Sequence, residues 1–143
     1  MRLVLDSNEY IYGFGAERKP ECEGLILRVA EKAGRLSLFV PRMVADEVER
    51  NVSGAMFKAV HHFWREMGCS IDDDHIVPGG MLASYLKRGL KDADAMIGAY
   101  TEWVRADALV SENRDFLALS NPLPFRVMKA STFLKEKSGR PKK

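Results

Sequence analysis

The chain has 143 residues, 46% of them hydrophobic and 29% charged, with a formal charge of +2. This is the composition of one ordinary globular domain; no apolar run reaches the length of a membrane span, and the N-terminus reads as a strand rather than a signal peptide, so a cytoplasmic protein is expected. The charge is uneven: residues 135–143 hold five basic residues and one acid, a surplus of four, which leaves −2 for the rest.

Leu3-Val4-Leu5 has no polar face and reads as a strand buried on both sides, ending at Asp6-Ser7-Asn8. In a parallel sheet ligands bind outside the carboxyl ends of the strands, so an aspartate there is either a helix cap or part of a site. A helix over 9–14 is expected to break at a Gly13-Phe14-Gly15 turn. Pro20 opens a second helix to about 33, with Leu25, Ile26, Val29 and Ala33 on one face and Gly34 as its stop. Residues 36–40 are the second strand. Pro41 then starts a helix with Met43, Val44 and Val48 as its stripe, interrupted at Gly54, and a further helix over 55–67 carries Phe57, Val60, Phe63, Trp64 and Met67. Residues 70–74 are a short strand or loop in which Asp72-Asp73-Asp74 is a solvated turn. Cys22 and Cys69 lack metal or redox spacing and are expected to be reduced and packed.

Pro78 and Gly79-Gly80 mark a turn before a helix over 81–88, which Gly89 ends. Asp92 starts the next helix, with Ala93, Met96, Ile97, Tyr100 and Val104 facing inward. Residues 108–110 are a third strand, 121–124 a loop and 125–128 a last strand, and Ser131 caps a final short helix. Helices between strands imply right-handed crossovers, hence a three-layer α/β/α sandwich around a central parallel sheet of four or five strands. The expected organisation is a single domain over 1–134 and a basic, disordered tail over 135–143.

Four acids then share one structural address. Asp6 follows the first strand, Glu47 lies in the second turn of the helix after the second, Asp94 in the first turn of a long helix, and Asp115 after the third strand. Four carboxylates in one cleft repel one another, and a hard divalent cation, Mg²⁺ or Mn²⁺, relieves this with oxygen ligands. His61 and His62 are adjacent, so they point to different sides of a helix and do not chelate together; His75 stands alone.

These residues resemble the PIN-domain nucleases. Leu3-Val4-Leu5-Asp6-Ser7-Asn8 is similar to that family's opening, a strand followed by Asp-Thr/Ser-Asn. Val40-Pro41 followed by Glu47 resembles its second acidic position. Asp94-Ala95-Met96-Ile97-Gly98-Ala99 resembles its Asp-x-x-Ile-x-Ala helix, and Ser111-Glu112-Asn113-Arg114-Asp115-Phe116 its last motif. The ordered set spans nearly the whole chain. It implies a PIN-like five-stranded sheet, a homodimer, and metal-dependent cleavage of single-stranded RNA, as in VapC-type toxins held inactive by an antitoxin protein. Two departures stand out: Asn113 occupies a position where relatives often have Asp, and Glu9 one where they are often apolar. Asp92 is read as a cap or helix-dipole partner, and Glu112 and Glu49 as surface residues.

On this reading Asp6, Glu47, Asp94 and Asp115 are the catalytic, metal-holding residues. Ser7, Asn8, Ser111 and Asn113 orient them, and Arg114 contacts a substrate phosphate. A dehalogenase-like phosphatase would need Asp where Asn8 stands, and a receiver domain would need a late Lys after a strand; neither pattern is present. The alternative of another class is a PIN-like module that binds RNA or protein without cutting.

Overall fold

Apolar segments of strand length alternating with amphipathic helices require a parallel sheet covered by those helices, and the computed structural model, which describes residues 1–119 and 122–138, has this arrangement. Strands β1 (Arg2–Leu5), β2 (Ser37–Pro41), β3 (Ile71–Asp72), β4 (Ala108–Val110) and β5 (Arg126–Met128) form one sheet in the order β3-β2-β1-β4-β5. Every pairing is parallel. The helices among the described residues are α1 (Ser7–Phe14), α2 (Pro20–Glu31), α3 (Arg42–Asn51), α4 (Gly54–Glu66), α5 (Gly79–Lys87), α6 (Asp92–Trp103), α7 (Arg114–Leu117) and α8 (Ala130–Ser138). None of them is long and apolar enough to cross a membrane.

The central strand is β1. Leu3, Val4 and Leu5 are fully buried between β2 and β4, as their lack of a polar face requires, and each contributes about 1.5–3 kcal/mol by leaving water. Tyr10, Phe63 and Trp64 meet edge to face in the core. Among the described residues the exposed large apolar side chains are Leu27, Ile76, Leu86 and Trp103. Cys22 and Cys69 are free thiols, one buried and one partly so.

Six local expectations are corrected. Gly13 is helical: α1 runs through it because a Cβ there would lie 2.9 Å from Ile26, so the glycine serves close packing of α1 on α2 and not a turn. Ala93 is exposed, and α6 instead buries Ala95, Ile97, Gly98, Ala99, Tyr100 and Thr101; covered on more than one side, it uses small residues where a narrow stripe was expected. Ser131 lies inside α8. That helix starts at Ala130, whose amide donates to Glu112 Oε2 at 2.9 Å, so Glu112 is a half-buried cap rather than a surface residue. The acidic run is no freely solvated turn. Tyr100 Oη donates to Asp72 Oδ2 at 2.6 Å and the Met43 amide to Asp74 Oδ1 at 3.3 Å, leaving Asp73 outside to bind His75. Finally, α8 continues to Ser138, with Phe133 buried and Glu136 paired to Arg126, so the expected tail begins as helix. Residues 139–143 of that tail, and Asn121 of the expected loop, lie outside the described residues.

The α5–α6 contact gives a stability prediction. A Cβ on Gly98 would sit 2.9 Å from Tyr85 Cδ1. The Tyr85 ring cannot swing away freely: it is buried, stacks on Phe125 and donates its hydroxyl to Glu102 at 2.8 Å. Gly98→Ala should cost about 1–3 kcal/mol by overpacking, less up to about 1 kcal/mol regained in helix propensity. Urea unfolding checks this; wild-type stability in the variant would refute the tight approach.

Candidate active site

The chain fills one half of the sheet first, β1 to β2 to β3, and then crosses to the other side of β1 for β4 and β5. The strand order therefore reverses between β1 and β4, and the crevice outside their carboxyl ends is where such folds bind ligands. Leu5 pairs with Val110, so the next residues, Asp6 and Ser111, are neighbours across that crevice. The Asp6 amide donates to the Val110 carbonyl at 2.9 Å, extending the ladder by one bond.

Asp6 is 4% exposed, and both of its carboxylate oxygens are held. Oδ1 accepts from the Ser7 amide at 2.8 Å and Oδ2 from Ser111 Oγ at 2.7 Å. Ser111 Oγ in turn accepts from the Asn113 amide at 2.9 Å. Asn113 Nδ2 donates to Asp94 Oδ2 at 3.2 Å, and Asn113 Oδ1 accepts from the Asp115 amide at 2.8 Å, capping α7. A continuous polar line thus runs from Asp6 through Ser111 and Asn113 to Asp94. The departure at Asn113 has a physical consequence. An amide donates to one acid and accepts from a helix start at once, whereas an ionised aspartate could only accept.

The four acids act on one another electrostatically. Burial raises the Asp6 carboxyl above its ordinary range, Asp94 and Glu47 raise it further, and the bonds from Ser111 and Ser7 oppose the shift. Burial also raises Asp94, with Asp115 and Glu47 adding repulsion, against the bond from Asn113 and the charge of Lys91. Glu47 is placed by α3, whose Val44, Ala45 and Val48 are buried and leave it half-exposed; Asp115 is exposed in α7. Lys91, at the N-cap position of α6, is the cation that sequence reasoning missed beside Asp94. Asn8 is half-buried and makes no hydrogen bond to an acid among the described residues, and Arg114 is exposed at the start of α7. Asp92 is in the first turn of α6 but makes no side-chain cap bond.

An all-carboxylate donor set, in which Asp6 and Asp94 are raised by burial and by neighbouring acids, suits a hard divalent cation. The tighter cluster is a different one: Glu9, Cys22 and Glu112 bring one ligand atom each within 4.8 Å of one another. Among the described residues the four crevice acids do not form so close a group; Mg²⁺, which keeps several waters and takes few protein ligands, does not require one.

No known family's sequence profile matches the chain, and no curated protein sequence does. Among the solved structures that share the fold are two of low sequence identity. One is a chain of VapBC2 from Rickettsia felis, crystallised bound to a DNA fragment from their promoter. It aligns over 89% of this chain and 97% of its own, at 14% identity and a TM-score of 0.60. The other is a chain of FitAcB from Neisseria gonorrhoeae, aligned over 90% of this chain and 98% of its own, at 14% identity and a TM-score of 0.59. The α/β fold with its five parallel strands is therefore a known one, PIN-like in strand number and direction.

Proposed function

We propose that the protein is a metal-dependent endoribonuclease that cuts single-stranded RNA, of the PIN type, and the toxin of a toxin–antitoxin pair. The observation that carries this is the polar line Asp6–Ser111–Asn113–Asp94 at the point where strand order reverses, with Glu47 and Asp115 close enough to repel it. Asp6, Glu47, Asp94 and Asp115 would hold Mg²⁺ or Mn²⁺; when bound, the ion polarises the phosphate and lowers the pKa of its water. Ser7 and Ser111 fix the Asp6 carboxylate, and Asn113 fixes that of Asp94, so neither has to reorganise as charge develops. Arg114, exposed at the start of α7 beside Asp115, would meet a substrate phosphate. The likeness in fold to chains of VapBC2 and FitAcB supports an antitoxin partner. The direct test is cleavage of single-stranded RNA with Mg²⁺ or Mn²⁺ that a chelator stops; RNA bound but uncut would favour the binding-module reading.

Two further outcomes follow from this reading. Millimolar Mg²⁺ should raise the melting temperature, by about 2.7 kcal/mol of added stability at a hundredfold excess over Kd. Asp94→Asn should reduce that shift, and no shift in the wild type would remove the shared-cleft reading. Light scattering is expected to give a dimer mass, with the carboxylate crevice outside the interface; a monomer at every accessible concentration would remove the dimer and leave the fold untouched.

A further inference from the structure

We propose that Glu9, Cys22 and Glu112 form a second cation site, independent of the nuclease reading, for one thiophilic divalent ion of the Zn²⁺ class. The three come from α1, from α2 and from the segment after β4, and their ligand atoms lie within 4.8 Å of one another. Gly13 makes this possible: without a Cβ it lets α2 approach until Cys22 lies over Glu9, with Sγ 3.3 Å from Oε1. Tetrahedral Zn²⁺ places sulfur and oxygen ligands about 3.6 Å apart, close to the Sγ–Oε1 separation here.

The observation that asks for a ligand is Glu9 itself. It is 0% exposed, and its Oε2 has no hydrogen-bond donor. A buried carboxylate is costly without a partner, and what faces it is another carboxylate, Glu112, with the Asp6 charge beyond. Two acids meeting in the interior need something positive between them. A shared proton would join the two acids and leave the Cys22 thiol as a donor to Glu9 Oε1. A divalent ion balances two carboxylates and a thiolate to within one charge and uses all three groups. Thiolate among the ligands selects Zn²⁺ over Mg²⁺, which separates this site from the crevice acids. Glu112 is half-buried and gives the route to solvent, and the Ala130 amide on its Oε2 fixes its orientation. Loading would release two protons, one from the Cys22 thiol and one from the Glu9–Glu112 pair, with no redox change.

Co²⁺ alone, added to the full metal-free chain, reports on sulfur ligation through a thiolate-to-cobalt charge-transfer band in the near ultraviolet. The band should saturate at one equivalent and vanish on adding Zn²⁺. It should be absent in Cys22→Ser and persist in Cys69→Ser and Asp6→Asn. Glu9→Gln should weaken Zn²⁺ binding at least tenfold. No band in folded wild type, or a band that survives Cys22→Ser, overturns the site. Because Cys22→Ser could fail to fold, calorimetry of Zn²⁺ binding to wild type in buffers of different ionisation enthalpy gives a second reading. Close to two protons released per ion supports the site, and none released overturns it.

Discussion

Asp6→Asn is expected to lower RNA cleavage at least about 100-fold while leaving the protein as stable as wild type or more so. The two halves of this result have one cause. Asp6 is buried and its charged form is opposed by burial and by Asp94 and Glu47. The asparagine keeps an oxygen for the Ser7 amide, and its Nδ2 can donate to Ser111 Oγ, which keeps its place in the polar line. The substitution therefore removes a cation ligand and a source of repulsion together. Activity assays on a panel of structured and unstructured RNAs, beside thermal melts, separate the outcomes. Equal cleavage by both proteins would mean a contaminating nuclease, and a large loss of stability would mean that Asp6 is a structural cap.

The second large effect concerns Glu9→Gln. Burial first, then Glu112, lifts the Glu9 carboxyl from 4.5 to about 9. Its folded-state value lies above its unfolded one, so its contribution to stability is fully present below about pH 4.5 and is lost as pH rises toward about 9. In metal-free protein, Glu9→Gln should match wild type near about pH 5 and exceed it by roughly 2–3 kcal/mol at neutral pH and above, because the amide never ionises and can donate to Glu112. Urea unfolding at the two pH values measures this. Equal pH slopes for the two proteins would show that Glu9 does not titrate across the window.

Much of the architecture was legible because it follows from periodicity. Leu3-Val4-Leu5 could only be a strand covered on both faces, and Asp6, Glu47, Asp94 and Asp115 followed from where strands end and helices begin. What was not legible depends on neighbours far apart in the chain. Glu112 looked like a surface acid because its partner, the Ala130 amide, lies across β5 from it. Ala93 fitted a helical stripe, but α6 is buried on a different and wider arc, set by what packs on it. Asn113 was legible as a residue that orients the acids, but not that it does so by donating to Asp94 while accepting from the Asp115 amide. Nothing in the spacing of Glu9, Cys22 and Glu112 foretold that α1 and α2 would press the first two together against the third.

The place of β1 in the sheet has a consequence for how the protein is made. Leu3 gains its β2 neighbour, Leu38, early in synthesis, but its β4 neighbour, Ala108, only after a further 70 residues have been added (108 − 38). Ser111 and Asn113, which hold Asp6 and Asp94, emerge from the ribosome later still. A nascent chain that stalls before β4 leaves one side of its central strand open and has no assembled crevice. The crevice thus waits on one later segment, which both closes the sheet beside β1 and positions Asp6 and Asp94.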